Sequence, residues 1–564
     1  MSEEAAPPSF FGGLITRVLS PHRPLLALVL LALALYLPSV WLRDPWSPDE
    51  PRYAEVAREM VSRGDYILPH LNGEVYGEKP PLFFWLGIAA GMIPGVPFES
   101  GPRLVSVLAA LLTLVLTFRL GRRFIDAQTG WLAALVLLTS SMFVMHATSG
   151  VIDGTLTLLV TAAIASGLAA RKARSPLLWG LFYVLAGLAI ITKGPVGLAI
   201  PAGVLFLVGL QEVGPRRAWA AHPLWGLAIM GLIGALWLVP AIARGGREYA
   251  EIILFKQNVG RAYQSWHHKE PFWYFLMGFP VAFVPWILLF PGGLFEGWRR
   301  RAKAPGARIA ISWFLFTFVF FSVISGKKTR YLMPLLPAAS LLAALELRAL
   351  LSKGTGRARA MMPGVAAAAL CLAGVALAAA PAYLDADRVA LVQGLSADQV
   401  EGILRLGRLP GALLFILPGM LLAALGARSL MLAGKDRRQA IALLVSGVVA
   451  VVAWSQWVAV PALDLIKSTR PLAEVVQRQI GPAGAVVLYR ESFQGVFNLH
   501  LKRDAIPTLS GQRRIDDFIV RNPGAVVIAT QPDLERLIEV IPALRPIHCR
   551  RIGEETVCAA TAAP

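Results

Sequence analysis

The chain has 564 residues, of which 56% are hydrophobic and only 16% charged, and its mean hydropathy is +0.60. Soluble domains carry about 25% charged residues, so the composition excludes an ordinary soluble globule and points to a polytopic membrane protein. The net charge of +19 does not imply nucleic acid, because the basic residues fall in short clusters between apolar runs, as in loops facing anionic lipid.

Apolar runs predict about thirteen transmembrane helices, near 24–42, 102–120, 129–146, 152–170, 177–192, 194–210, 223–243, 272–293, 308–325, 331–350, 361–382, 410–432 and 439–463. The first is read as an uncleaved anchor, being longer than the apolar part of a signal peptide. With the N-terminus inside, every inner loop is basic: Arg122 and Arg123; Arg171, Lys172 and Arg174; Arg216 and Arg217; Arg299–Arg301 and Lys303; Arg357 and Arg359; Lys435, Arg437 and Arg438. The loops 43–101, 244–271 and 383–409 and the tail then lie outside. So do two short basic loops, at Lys193 and at Lys327, Lys328 and Arg330. Basic loops on the wrong side need another reason, and binding an anion supplies one. The reading divides the chain into a transmembrane part, 1–465, and a small periplasmic α/β domain, 466–564.

Ionisable groups beside a membrane are costly and are usually kept for function. The first outer loop holds two such clusters, Pro48-Asp49-Glu50 and Tyr76-Gly-Glu78-Lys79-Pro-Pro. Between them, residues 53–60 have the spacing of a helix on the membrane surface, and Glu55, Arg58 and Glu59 read as its solvated face. Asp153 opens a span, either as a first-turn acid favoured by the helix dipole or as a functional acid on the face that holds Asp49 and Glu78. Loop 244–271 contains Lys256, Asn258, Arg261, Tyr263, His267, His268, Lys269 and Glu270. His267 and His268 are either polar surface or metal ligands alongside Glu78. Lys79, Lys193, Lys327, Lys328 and Arg330 can converge on phosphate oxygens, and Arg261 joins these substrate-binding candidates. No Walker loop or dinucleotide fingerprint is present. Together, carboxylates and phosphate-binding cations at an outer face suggest group transfer from a phosphorylated lipid.

In the tail, 470–480 and 532–540 read as helices, 485–489 and 525–529 as strands, and 547–552 with 556–560 as a hairpin. Cys549 and Cys558 lie on its two arms, either as a disulfide or as two free thiols. Cys371 reads as packing within a span.

Ser-Pro-Asp49-Glu50-Pro-Arg52-Tyr53, Tyr76-Gly-Glu78-Lys79-Pro-Pro, Thr192-Lys-Gly-Pro, His268-Lys-Glu-Pro-Phe-Trp-Tyr and Ser325-Gly-Lys327 together resemble the lipid A aminoarabinose transferases. Those are GT-C membrane glycosyltransferases akin to protein O-mannosyltransferases. The resemblance implies a GT-C fold and transfer of a sugar from a polyprenyl-phosphate-linked donor to an acceptor at the periplasmic face of the inner membrane. Aminoarabinose to lipid A is the leading expectation. Another sugar passed to lipopolysaccharide, lipid or protein is the alternative, and a transporter of lipid-linked saccharides is the rival from a different class. The resemblance makes Asp49 the main catalytic carboxylate and Asp153 the second acid. Arg52, Lys79 and Tyr331 become phosphate contacts, and Glu78 with His268 the holders of a divalent metal cation. Thr329-Arg330-Tyr331 stands where the lipid A enzymes tend to have Pro-Thr-Tyr.

Overall fold

A computed structural model describes residues 17–214, 224–260, 270–352, 357–481, 484–490 and 493–562. Eleven helices among them are long and apolar enough to cross a membrane, and the bent pair Ala127–Leu138 and Ser141–Ala147 reaches that length only when its two halves are taken together. The chain is a multi-pass membrane protein. The bend of 68° in that pair falls at Thr139 and Ser140. Their hydroxyls bond back to the carbonyls of Leu135 and Val136, each at 2.7 Å, a contact that competes with the helical ladder.

The span expected near 272–293 is instead broken into the helices Tyr274–Ala282 and Phe290–Arg300. Pro285 falls in the break between them, where it removes a backbone donor, and Pro291 opens the second helix. The short Lys193-Gly194-Pro195 linker does separate two spans, Pro176–Lys193 and Val196–Val213, as expected.

Lipid tails are as apolar as leucine, so the spans are held by close packing rather than by expulsion of water. Small residues mark the seams. A Cβ added to Gly121 would lie 2.5 Å from the Gly130 Cα, and one on Gly374 would lie 2.3 Å from the Ala423 nitrogen. Cys371 takes part in the same seam, its backbone lying against Gly426.

The tail forms a five-stranded sheet, β3 (Val486–Tyr489), β4 (Thr508–Leu509), β5 (Val526–Thr530), β6 (Leu544–Ile552) and β7 (Glu555–Ala562), in the order β4-β3-β5-β7-β6. The β4-β3-β5 part is parallel, and β7 and β6 close it antiparallel. Alternate residues feed two cores: Val486, Leu488, Val526 and Ile528 face one side, Val487, Tyr489, Val527 and Ala529 the other. Cys549 and Cys558 are directly opposite in β6–β7 and are joined as a disulfide. The helices Val496–Leu501 and Gln512–Arg521 were not foreseen in the sequence.

The tail folds back onto the first loop, and this overturns one expectation. The helix Asp49–Arg63 does not present Glu55 and Glu59 to solvent; both are 0% exposed. Glu59 accepts the backbone N–H groups of Asn72 and Gly73, at 2.5 and 3.1 Å. These two residues turn the hairpin of β1 (His70–Leu71) and β2 (Glu74–Val75) with φ of 57° and 82°, the left-handed pair that Asn-Gly favours. Arg58 joins Glu55 to Asp504 of the tail, at 2.7 and 2.8 Å. The Asn72 carboxamide accepts from Asn498 Nδ2 and the Ile506 N–H, both at 2.7 Å, and donates to the Ile506 carbonyl at 3.0 Å. Asn72→Ala strands these buried groups and should cost about 1–3 kcal/mol. Thermal unfolding of the detergent-solubilised protein should show a lower midpoint, and protease should cut sooner between bundle and tail.

Candidate functional site

The site begins with a buried carboxylate. The Asp49–Arg63 helix puts Asp49 and Glu50 in its first turn, where the dipole favours acids. The two side chains diverge. Glu50 points into the protein, where its Oε1 accepts from the Gly150 N–H at 2.5 Å and from Arg43 Nη2 at 2.9 Å. Its Oε2 accepts from Arg43 Nη1 at 2.6 Å and the Trp46 N–H at 2.9 Å. Arg103 Nε lies 3.4 Å from Oε1, and Arg103 Nη1 donates to the carbonyls of Ser39 and Arg43 at 2.7 and 2.9 Å. Burial alone would raise the Glu50 carboxyl, but Arg43 and Arg103 overcome it and hold the group at about 2. Glu50 therefore fastens the start of the Asp49 helix to the end of the first span, to the span holding Arg103 and to the turn before Asp153.

Asp49 faces the other way, into a cavity of about 830 Å³. Arg52 and Tyr53, three and four residues on, share its helix face and line the cavity too. Glu78 and Lys79 arrive from the end of the first loop. Asp153 comes from the first turn of the helix Ile152–Ala173, and Lys193 from the last turn of Pro176–Lys193. Lys328 directly precedes the span 329–351, Arg330 and Tyr331 stand in its opening turn, and Lys256 comes from the end of the span 226–256. The lining also includes Leu156, Ile190, Val196, Leu238, Phe320 and Phe321, so a charged mouth continues into an apolar wall.

Each carboxylate in the cavity has a cation beside it. Asp49 pairs with Arg330, and Asp153 with Lys193. Arg52 lies 3.6 Å from Glu78. The Lys193 ammonium sits 4.6 Å from the Tyr331 ring centroid, and Phe321 backs that ring at 5.7 Å. Among the described residues, six lysines and arginines line the cavity against three carboxylates. The excess is positive, in a setting with an apolar wall.

The structure thus brings together Asp49, Arg52, Glu78, Lys79, Asp153, Lys193, Lys328, Arg330 and Tyr331. Lys327 is not with them: it is 3% exposed and donates to the Glu270 carbonyl at 2.9 Å, pinning the chain at 270 to the basic segment. Adjacent residues in an extended stretch point to opposite sides, so Lys328 faces the cavity and Lys327 does not. Arg261, His267 and His268 lie outside the described residues. The metal pairing of Glu78 with His268 is accordingly half described. Among the described residues no three His, Cys, Asp or Glu side chains form a metal-holding group, and the near neighbour of Glu78 is the Arg52 guanidinium, which does not ligate metal. The cavity role of Tyr53 and the grip of Arg43 and Arg103 on Glu50 were not read from sequence. The signal for the last was an arginine, Arg103, inside an apolar run.

A family model described as dolichyl-phosphate-mannose-protein mannosyltransferase matches residues 78–241. The solved ArnT from Cupriavidus metallidurans bound to undecaprenyl phosphate superposes with a TM-score of 0.72, covering 95% of this chain and 97% of that one at 21% identity. The chain has a GT-C membrane fold. An Archaeoglobus fulgidus oligosaccharyltransferase shares it more distantly, with a TM-score of 0.51 at 11% identity over 90% of this chain and 68% of the other. In sequence, the undecaprenyl phosphate-alpha-4-amino-4-deoxy-L-arabinose arabinosyl transferase of Pectobacterium carotovorum is 35% identical over 327 residues. That match covers 56% of this chain and 58% of the relative, so the chain spans little more than half the length of the curated relatives it matches. The stretch matched by the family model contains Glu78, Lys79, Asp153 and Lys193.

Glu50→Gln keeps the shape of the buried side chain but leaves Arg43 and Arg103 without a counter-charge. The loss should be about 3–5 kcal/mol. The folded-state value lies below the ordinary 4.5, so the stabilisation is present above pH 4.5 and fades as pH falls toward 2. Unfolding curves of the wild type and Glu50→Gln should therefore differ at neutral pH and converge in acid.

Proposed function

We propose that the chain is a glycosyltransferase that moves a sugar from a polyprenyl-phosphate donor to an acceptor, with aminoarabinose as the sugar and lipid A as the acceptor. The observation that carries this reading is the cavity itself: an excess of lysine and arginine around Asp49, continuous with an apolar wall. It offers cations for a phosphate and a lipid-like surface for a prenyl chain. The names of the curated relatives supply the particular sugar and carrier. The orientation with the cavity on the periplasmic side of the inner membrane rests on the basic residues at the other ends of the spans, such as Arg122 and Arg123 in the last turn of the helix that begins at Gly101. A donor linked to lipid phosphate needs no nucleotide, which suits that side.

In this reading an acceptor oxygen attacks the anomeric carbon, the bond from that carbon to the phosphate oxygen breaks, and polyprenyl phosphate leaves with the electron pair. Arg52, Lys79, Lys193, Lys328 and Arg330 stabilise the negative charge it carries away. With a hydroxyl acceptor the proton passes to the Asp49 carboxylate. With an ionised lipid A phosphate there is no proton to remove, and Asp49 orients the nucleophile. A single displacement inverts the anomeric centre. Asp153 holds Lys193 over Tyr331, a fixed cation that costs no reorganisation when charge develops. A divalent cation between Glu78 and His268 belongs to the same reading, and none of these steps depends on it.

The acceptor has a candidate berth. A second cavity of about 740 Å³ lies on the other side of the Glu50 cluster, lined by Arg43, Trp46 and Ser149 at one end and by apolar residues including Met362, Ala369 and Val445. It suits acyl chains with a polar head held toward the Asp49 helix.

Lipid A mass spectrometry tests the transfer. A transferase-null Gram-negative host that still makes the aminoarabinose lipid should gain the aminopentose increment when it expresses this chain, and lose it with Asp49→Asn. A folded, membrane-inserted protein that yields no increment would remove aminoarabinose transfer from consideration. Ala369→Trp fills the second cavity and should raise the acceptor KM several-fold while leaving donor binding unchanged; an unchanged acceptor KM would place the acceptor elsewhere.

A further inference from the structure

We propose that Asp49 and the donor phosphate use Arg330 in turn. Before donor arrives, the guanidinium is the counter-ion of Asp49. The arriving phosphate takes the guanidinium over and releases the carboxylate to meet the acceptor. This rests on the reading of the cavity as the site of a phosphate-linked donor, and adds to it an order of events and a second role for Arg330.

The two carboxylate–cation pairs of the inner cavity differ in access. Asp153 and Lys193 are 6% and 16% exposed at their side chains, whereas Asp49 and Arg330 are 26% and 22% exposed. The Asp49–Arg330 pair therefore opens to the cavity and can be reached by a solute, while Asp153 is closed off. The Asp49–Arg330 pair is only partly covered, so a solute that enters the cavity can compete for either partner. A phosphate offers the guanidinium two charge-assisted hydrogen bonds in a geometry that matches its planar fork. A phosphate in the cavity therefore competes with the carboxylate for the guanidinium.

Arg330 does not have to leave to make the exchange. The segment that carries it is pinned by the Tyr331 N–H, which donates to the Lys328 carbonyl at 2.9 Å. The Asp153 carboxylate also attracts the guanidinium. When Asp49 is released, Arg330 still has this buried anion behind it and stays aimed at the cavity.

The chemistry needs such a release. Arg330 holds the Asp49 carboxylate by Oδ2, and a charge-assisted hydrogen bond of this kind fixes where the carboxylate points. Asp49 is not free to turn to the acceptor until Arg330 turns to the phosphate. Donor binding thereby switches on the carboxylate, and an acceptor that arrives first meets a neutralised pair.

The experiment is the affinity of undecaprenyl phosphate for the full-length protein in detergent, followed through tryptophan fluorescence, since Trp237 lines the cavity. Wild type, Asp49→Asn, Arg330→Met and the double variant are compared, each first shown to elute as a monodisperse folded species. Arg330→Lys replaces the Met variant if the latter does not. Removing the competitor should tighten binding: Asp49→Asn should lower Kd by about threefold or more. Arg330→Met should raise it by roughly tenfold or more. In the Arg330→Met background Asp49→Asn should bring no gain. The proposal is overturned if Asp49→Asn leaves Kd unchanged or raises it. It is equally overturned if the gain persists without Arg330, which would make it plain repulsion between carboxylate and phosphate. Failure of the wild type to bind undecaprenyl phosphate would instead overturn the donor reading on which the exchange rests.

Discussion

A single buried carboxylate decides where the reactive one stands. Glu50 accepts hydrogen bonds from Arg43, from the Trp46 backbone and from the Gly150 backbone, with Arg103 beside it. Three separate stretches of chain meet at this group, residues 43–50, Arg103 and Gly150. Two arginines and one glutamate buried together demand compensation from one another, which makes the arrangement all-or-none rather than adjustable. Asp49 is the adjacent residue, so the Glu50 cluster sets the height and rotation at which Asp49 enters the cavity. The same carboxylate fixes the turn that leads into Asp153. The two cavity acids are thus indexed to one another through a group that faces neither.

The charge pattern of the cavity follows from its place at the end of the bundle. Carboxylates and cations are expensive near hydrocarbon unless they neutralise each other, and Asp49, Glu78 and Asp153 each have a cation partner. Lysines and arginines still outnumber carboxylates in the cavity lining, six to three among the described residues. From above, the tail closes this end through Asn72, Asn498 and Asp504. It contributes none of the cavity-lining side chains among the described residues. Its physical effect is exerted on the first loop, whose helix and hairpin it holds in place.

Much of this was legible in the sequence, for one reason. Charge beside an apolar run is rare enough to be noticed, so Asp49, Glu78, Lys79, Asp153, Lys193 and Arg330 stood out, and most spans could be read from hydropathy. What was not legible depends on direction and on distant contacts. Asp49 and Glu50 look equivalent as neighbours, yet a helix turns about 100° per residue and sends one to the cavity and one to the core. Lys327 and Lys328 are separated in the same way. Glu55 and Glu59 have the spacing of a solvated face, because nothing local reveals that residues more than 400 positions later cover it. The run near 272–293 has the hydropathy of a span, and its prolines outweigh that.

The most direct test is a structure of the protein with undecaprenyl phosphate bound. The phosphate should lie among Arg330, Lys193 and Lys79, with the prenyl chain along the wall that includes Phe320 and Leu238, and Asp49 should no longer contact Arg330. A phosphate lodged in the second cavity beside Arg43, or one in the first cavity with the Asp49–Arg330 pair still closed, would contradict the arrangement described.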